Sequence, residues 1–237
     1  AEARGAPPVR GLYAITGHAA HLQALAAQGV RTLQLRMKRI EGEPEAAWQA
    51  RLLDQIVRSR AAAQAHGATL VVNDHWQQAA ALGVDFVHLG QEDLMSLDAE
   101  ARERLARARR AGLRLGVSSH SLWELAQASA WQPDYIACGP VWPTLTKAMP
   151  WQAQGLHNLA WWAAMSPAPV VAIGGILAPE QLADAARAGA SAGCVVRGLQ
   201  AGAPHDAATW KRRWDEGCAL RDAHAPRPGW PQPTLSP

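Results

Sequence analysis

Three basic side chains in the sequence have the type and the spacing to bind a phosphorylated anion. Arg36 and Lys38 stand at alternating positions in QLRMK, and Lys147 closes the segment GPVWPTLTK. Guanidinium and ammonium groups are the usual protein partners of a polyphosphate. Only three of the 23 basic residues are lysines, so Lys38 and Lys147 stand out from an arginine-rich background that we attribute to the coding bias of a GC-rich genome.

Two carboxylates and two glycine-containing segments could complete such a site. Asp74 ends VVND and Asp93 ends HLGQED; carboxylates of this kind hold Mg²⁺ while a diphosphate completes its coordination shell. Gly174-Gly175 in AIGGI and Val196–Gly198 in CVVRGL resemble segments whose backbone N–H groups bind a phosphate. Each also has a purely structural interpretation, a helix cap for the Asn-Asp pair and a turn for the two glycines.

Eight short apolar segments carry these residues at or just after their carboxyl ends. Their length and content are typical of buried parallel strands. The predicted strands are Gly11–Thr16, Thr32–Lys38, Thr69–Asp74, Phe86–Gly90, Arg114–His120, Tyr135–Pro140, Val170–Gly175 and Ala192–Gly198. In the second of them, the alternation predicts that Gln34, Arg36 and Lys38 share one face.

Helical periodicity separates the strands. The predicted helices are His18–Gly29, Ala46–Gly67, Leu97–Gly112, Ser121–Trp131, Leu156–Met165, Ala178–Gly189 and Ala207–Leu220. Eight strands alternating with helices in about 220 residues favour an α/β fold, a single-domain (β/α)₈ TIM barrel, over an open doubly wound sheet. Because the carboxyl ends of barrel strands form the active-site face, the polar residues at seven strand ends predict a functional site there.

The composition limits the class of protein and of partner. With 49% hydrophobic and 18% charged residues, we expect a folded chain, with residues 1–10 and the Pro-rich residues 222–237 as tails around a catalytic domain of residues 11–221. The net charge of +3 predicts neither nucleic acid nor a membrane as partner. Three cysteines without CxxC spacing indicate a reducing compartment, the cytoplasm. The sequence carries no signal for a particular oligomeric state.

Taken together, the motifs resemble those of the thiamine phosphate synthase family, also called thiamine-phosphate pyrophosphorylase. Members of this family are transferases with a (β/α)₈ barrel. QLRMK, VVND, HLGQED, LGVSSH, GPVWPTLTK, AIGGI and CVVRGL occur in the family's order between Gly11 and Leu199. The resemblance implies a role in thiamine biosynthesis with Mg²⁺ as cofactor and two small-molecule substrates. Hydroxymethylpyrimidine diphosphate would lose diphosphate to give a stabilised methylene cation, which the nitrogen of a thiazole phosphate attacks to form thiamine monophosphate.

The resemblance also implies a role for individual residues. The pyrimidine diphosphate would contact Gln34, Leu35, Arg36, Met37, Lys38, Asn73, Ser118 and Lys147. Arg36, Lys38, Ser118 and Lys147 are the catalytic residues among them. The thiazole phosphate would contact Thr144, Leu145, Thr146, Gly175, Val196 and Arg197, and Asp74 and Asp93 would ligate Mg²⁺. Arg197 stands where many members of the family have Ser, so a charged side chain replaces a hydroxyl at that position.

Two other functions are compatible with a barrel of this kind. A sister family, the thiazole tautomerases, shares the GVSSHS region at Gly116–Ser121, and would use His120 for proton transfer. A non-catalytic barrel that binds thiamine precursors or a partner protein is the third hypothesis. The complete set of cations and carboxylates favours the synthase, because neither alternative needs it.

Overall fold

Eight β-strands form a closed barrel, as the sequence predicts. The structure is a computed structural model and describes residues 9–144, 152–221 and 229–232. The strands are hydrogen-bonded in chain order around the barrel. They are β1 Gly11–Thr16, β2 Thr32–Leu35, β3 Thr69–Asn73, β4 Phe86–Leu89, β5 Arg114–Ser119, β6 Tyr135–Cys138, β7 Val170–Ile173 and β8 Ala192–Val195. Together with the helices between them they confirm the TIM barrel prediction.

The helices lie between the strands. They are α1 Ala19–Ala27, α2 Glu45–Ala65, α3 Trp76–Ala81, α4 Gln91–Met95, α5 Ala99–Arg110, α6 Leu122–Ala130, α7 Gly155–Met165, α8 Pro179–Arg187 and α9 Ala207–Ala219, with a short 3-10 helix at Arg197–Leu199. The helix starts follow ordinary capping chemistry. Asp98 accepts a hydrogen bond from the Ala101 N–H at 2.7 Å, and Pro179 is the first residue of α8, where its missing N–H costs nothing.

Two of these helices and the end of β2 differ from the sequence prediction. Helices α3 and α4 have only six and five residues. Because each is shorter than two turns, neither shows an apolar periodicity in the sequence. Strand β2 ends at Leu35, where its register with β3 also ends. The prediction that Gln34, Arg36 and Lys38 share one strand face is therefore wrong, because Arg36 and Lys38 lie in the loop that follows.

The described residues divide into two compact units. One comprises residues 14–116, and the other comprises residues up to 13 together with those from 117 onward. In the first, α1 packs on α2, and Leu33, Leu52 and Ile56 are fully buried or nearly so. In the second, α8 packs on α9, and Trp162 and Trp210 are buried. Burial of one such side chain stabilises the fold by about 2–3 kcal/mol.

The boundaries of the catalytic domain at residues 11 and 221 stay a prediction. Among the described residues, no helix combines the length and the apolar character needed to cross a membrane.

Candidate active site

The loop after β2 carries the two predicted cations of the first unit. The side chains of Arg36 and Lys38 are exposed. Leu35, which precedes them, and Met37, which lies between them, are buried. The Arg36 N–H donates to the carbonyl of Thr16 at 2.8 Å, which ties the start of the loop to the end of β1. Any contact of Leu35 or Met37 with a ligand would therefore use their main chain, while the two cations extend from the barrel.

A pair of carboxylates lies beside these cations. Burial, together with the charge of Asp93, raises the pKa of Asp74 to about 6, and the nearby charges of Arg36 and Lys38 act in the opposite direction. A side-chain hydrogen bond between Asp74 and Asp93 also favours the protonated form. The loops after β2 and β3 and helix α4 after β4 thus bring Arg36, Lys38 and Asp93 within electrostatic range of Asp74.

The backbone around each carboxylate is specialised. Asp74 has a φ of 64°, a left-handed conformation that aspartate and asparagine tolerate better than most side chains. Helix α3 begins beyond His75 without a side-chain cap, so the structural interpretation of Asp74 as a helix cap is wrong. Asp93 does have a structural role, because its Oδ2 accepts a hydrogen bond from the Gly90 N–H at 2.8 Å.

The two carboxylates fit a magnesium ion that shares its shell with a substrate. Within the described ranges, no cluster of three or more His, Cys, Asp or Glu side chains could hold a metal by itself. Mg²⁺ typically takes one or two protein carboxylates and completes its octahedron with water and substrate phosphates. The repulsion that raises the pKa of Asp74 is also what a bound cation relieves, since it favours the ionised form of both groups.

Gln34 and Asn73 are polar side chains at the carboxyl ends of β2 and β3. They are only 2% and 6% exposed, and buried amides of this kind keep hydrogen-bond partners. Gln34 pairs in register with Val71 of β3, and Asn73 with His88 of β4. Both predicted substrate contacts are therefore held by the strand ladder rather than by a loop.

Ser118 and His120 lie at the end of β5, shortly before α6 begins at Leu122. Ser118 is half-buried in the strand. Ser121 caps α6 by accepting from the Glu124 N–H at 3.2 Å. The His120 N–H and its ring Nδ1 both contact Glu124 Oε2, at 2.7 and 2.8 Å. This supports the structural interpretation of His120, because one ring nitrogen is engaged in holding the start of the helix.

The loops after β6 and β7 pack backbone against backbone. The Val141 N–H donates to Ile173 and the Trp142 N–H to Gly174, at 2.9 and 3.0 Å. Gly175 has a φ of 72°, and a Cβ there would lie 2.6 Å from the Cβ and carbonyl oxygen of Trp142. Glycine is therefore required for two independent reasons, the left-handed backbone and the lack of space.

The remaining predicted thiazole-site residues fall in two segments. Thr144 is half-buried at the end of the described part of the β6 loop. Leu145, Thr146 and Lys147 lie outside the described residues. Val196 is half-buried after β8, and Arg197, with an exposed side chain, begins the 3-10 helix.

Sequence reasoning missed a group of side chains that contacts the β2 loop. The His75 ring hydrogen-bonds the main chain of Met37, and burial lowers the pKa of His75. Arg51 donates to both carboxylate oxygens of Glu43, at 2.8 and 2.7 Å, and this bond lowers the pKa of Glu43 to about 2. The position of His75 directly after Asp74 was the only available signal, since Arg51 was set aside with the other arginines.

Comparisons with known proteins agree on one family. The sequence profile described as Thiamine monophosphate synthase matches residues 12–199. Thiamine-phosphate synthase of Rhizobium etli is 42% identical over 203 residues, 85% of this chain and 92% of that protein. Thiamine-phosphate synthase of Klebsiella pneumoniae is 39% identical over 222 residues, 92% of this chain and 96% of that protein.

A solved structure shares the fold. Thiamine phosphate pyrophosphorylase from Pyrococcus furiosus superimposes with a TM-score of 0.71 at 24% identity, covering 89% of this chain and 98% of that one. The profile match extends from β1 to the 3-10 helix after β8, and the two bacterial relatives align over most of both chains. The chain therefore belongs to the thiamine monophosphate synthase family.

Proposed function

We propose that the protein joins hydroxymethylpyrimidine diphosphate to thiazole phosphate and releases diphosphate, giving thiamine monophosphate. The observation that carries this proposal is the convergence of Arg36, Lys38 and Asp93 on Asp74, whose pKa responds to all three charges. Such a set of two cations and two carboxylates matches a magnesium diphosphate better than a neutral ligand or a single phosphate. The identity of the two precursors is what the family resemblance implies, and the name of the two bacterial relatives, thiamine-phosphate synthase, agrees with it.

In the reaction, the bond between the pyrimidine methylene carbon and the diphosphate oxygen breaks, and its electron pair leaves with the diphosphate. The thiazole nitrogen then gives its lone pair to the methylene carbon and forms the new C–N bond. Negative charge grows on the departing oxygen, so fixed cations beside it stabilise the transition state more than the ground state. We assign this role to Arg36 and Lys38, with Ser118 and Lys147 as further catalytic contacts.

Asp74 and Asp93 would hold Mg²⁺, which when bound neutralises charge on the diphosphate. Gln34 and Asn73, together with the main chain of Leu35 and Met37, would orient the rest of the pyrimidine diphosphate. Burial of the two amides supports this assignment, because strand-held side chains keep a fixed geometry. The same proposal includes the cytoplasmic location predicted from the sequence.

The thiazole phosphate would be held by the second unit. The proposed contacts are Thr144, Leu145, Thr146, Gly175, Val196 and Arg197. The tight packing of Gly175 on Trp142 supports a rigid backbone there, of the kind that presents N–H groups to a phosphate. Arg197 would add a charged contact to the phosphate.

The test follows both products. The protein is incubated with both precursors, with and without Mg²⁺, while diphosphate and thiamine monophosphate are measured. Equal amounts of both products, formed only with the metal, are expected. The absence of metal-dependent product would contradict the proposal, and isomerisation of a thiazole precursor that is lost in His120→Ala would establish the tautomerase instead.

A further inference from the structure

The loop between β2 and α2 carries Arg36 and Lys38, yet it has no strand ladder to fix it. Loop residues 36–44 run from the end of β2 at Leu35 to the start of α2 at Glu45. The two cations are exposed, and a long exposed side chain places its charge accurately only if the backbone that carries it is well held. Effective electrostatic catalysis requires that the charges be held in place before the substrate binds.

Two side chains from elsewhere in the first unit, His75 and Arg51, contact this loop, and Trp48 packs against both of them. We call His75, Trp48 and Arg51 the loop clamp. Trp48 and Arg51 are three residues apart on α2 and therefore share a helix face, and the Arg51 guanidinium carbon lies 4.8 Å from the centroid of the Trp48 ring. The His75 ring meets the same tryptophan edge to face, with centroids 5.4 Å apart.

The loop clamp hydrogen-bonds the main chain of two successive residues, Met37 and Lys38. The His75 ring hydrogen-bonds the main chain of Met37, and Arg51 Nη2 donates to the carbonyl of Lys38 at 3.3 Å. The other ring nitrogen of His75, Nε2, is buried without a hydrogen-bond partner. The ring is therefore held by its hydrogen bond to Met37 and by its packing on Trp48.

Arg51 also fixes the far side of the loop. It binds Glu43 through both carboxylate oxygens, and Glu43 Oε2 accepts from the Ile40 N–H at 3.1 Å. The Glu43 side chain is only 12% exposed, so this pair is shielded more than the surface ion pairs of the same helix. One guanidinium thereby joins the carbonyl of Lys38 to the turn at residues 40–43.

We propose that the loop clamp is a positioning device for the diphosphate site, with His75 and Arg51 as positioning residues that hold the backbone of Arg36–Lys38 facing Asp74 and Asp93. The inference rests on the proposed function, since it assigns a ligand to those cations. Neither positioning residue touches the substrate; both act through main-chain carbonyl groups.

The test compares binding with stability in matched variants. Arg51→Met keeps an unbranched apolar side chain next to Trp48 but removes the guanidinium and its three hydrogen bonds to Glu43 and Lys38. Arg58→Met is the control, because Arg58 lies on the same helix in an exposed pair with Asp54. The probe is inorganic diphosphate with Mg²⁺, titrated by calorimetry, beside KM for each of the two precursors and the midpoint of chemical unfolding.

We expect Arg51→Met to raise Kd for the magnesium diphosphate and KM for the pyrimidine diphosphate by about 10- to 100-fold, as for other groups that orient ligand residues. KM for the thiazole phosphate should stay within about twofold of the native value, because that substrate is assigned to other residues. Arg58→Met should bind like the native protein.

A second pair of variants separates positioning from packing. His75→Asn keeps an amide donor near the position of ring Nδ1, whereas His75→Leu fills similar space without a donor. The affinity for magnesium diphosphate should stay near the native value in the asparagine variant and weaken in the leucine variant. This difference should not follow the difference in their unfolding midpoints. Because these changes leave Arg51 in place, they also serve if Arg51→Met fails to fold.

The outcomes distinguish this inference from the proposed function. Native Kd values in both Arg51→Met and His75→Leu would overturn the inference and leave the proposed function intact. If the native protein itself bound no magnesium diphosphate, the proposed function would fail, and the inference with it.

Discussion

Burial and the neighbouring carboxylate of Asp93 raise the pKa of Asp74 to about 6. The fold therefore holds Asp74 in a place where its ionised form is unfavourable. Such a pair destabilises the metal-free protein at neutral pH and becomes favourable only when a cation lies beside it. This relationship makes the candidate metal site testable through stability as well as through activity.

The first prediction concerns Asp74→Asn. Asparagine accepts the left-handed backbone at this position and removes the repulsion with Asp93. We expect the metal-free protein to gain about 0.5–2 kcal/mol in the free energy of unfolding at neutral pH, as in other relaxed functional sites. Turnover should fall by more than about 100-fold, because one of the two proposed ligands is lost.

Urea unfolding in the presence of a chelator measures the first effect, and diphosphate release the second. Asp215→Asn is the control, since Asp215 forms an exposed pair with Lys211 on α9 and should change neither quantity appreciably. An Asp74→Asn protein that is less stable than the native protein at neutral pH would contradict the proposed repulsion.

The second prediction is a pH dependence with a definite sign. The pKa of Asp74 is about 6 in the folded protein, against an ordinary value of 3.8 for an aspartate side chain, so the folded state holds this proton more tightly. Its contribution to stability is complete below the unfolded pKa and is lost as the pH rises through about 6. Binding of Mg²⁺ requires the ionised carboxylate, so affinity should weaken as the pH falls below about 6.

Calorimetry in two buffers with different ionisation enthalpies measures the accompanying proton. Near pH 6 about half of the Asp74 carboxyls are protonated, so binding of magnesium diphosphate should release about half a proton more from the native protein than from Asp74→Asn, after correction for the ligand's own ionisation. Near pH 8 the two proteins should release equal amounts. Identical proton release near pH 6 would remove Asp74 from the site.

The third prediction separates the two roles of Asp93. Both Asp93→Asn and Asp93→Ala lose the charge and should lose magnesium-dependent turnover. Only asparagine keeps a side-chain oxygen for the Gly90 N–H, so the alanine variant should be less stable than the asparagine variant by about 1 kcal/mol. Equal stability of the two variants, measured by unfolding, would show that the contact with Gly90 contributes nothing to helix α4.

The barrel, and the placing together of four candidate site residues, could be predicted from the sequence because both depend on local pattern. Continuous apolar runs mark strands that are buried on both faces, and polar residues at their ends mark the active-site face. The same reasoning placed Asp74 and Asp93 near Arg36 and Lys38. It extended β2 too far because alternation in QLRMK continues beyond Leu35, where the ladder ends.

The loop clamp could not be predicted, because it depends on distant parts of the chain. Trp48 and Arg51 lie on α2, whereas His75 follows β3, and the contact of Trp48 with His75 joins residues 27 positions apart in the sequence. An arginine in an arginine-rich sequence carries no signal by itself. Helix α3 is too short to show a periodicity in the sequence, so the position of His75 at the start of α3 could not be predicted either.

The fourth prediction concerns residues 229–232, which belong to the segment predicted to be a tail. The buried side chain of Asn158 on α7 donates to the carbonyl of Gln232 at 3.0 Å and accepts from its N–H at 2.7 Å. Asn158 also donates to Gln154, whose amide donates to the carbonyl of His120 at 2.6 Å. This part of the tail is therefore tied through α7 to the end of β5.

Deletion of residues 229–237 should leave the buried amide of Asn158 with unsatisfied groups, at a cost of about 1–3 kcal/mol in the free energy of unfolding. Asn158→Ala should cost a similar amount, and the double change should cost little more than either one, because both remove the same contact.

His157→Ala is the control. Its ring contacts the carbonyl of Trp230 at 2.8 Å but is exposed, so its loss should cost less than about 0.5 kcal/mol. Fully additive effects of the deletion and Asn158→Ala, measured by urea unfolding, would mean that the tail does not stabilise the protein through Asn158.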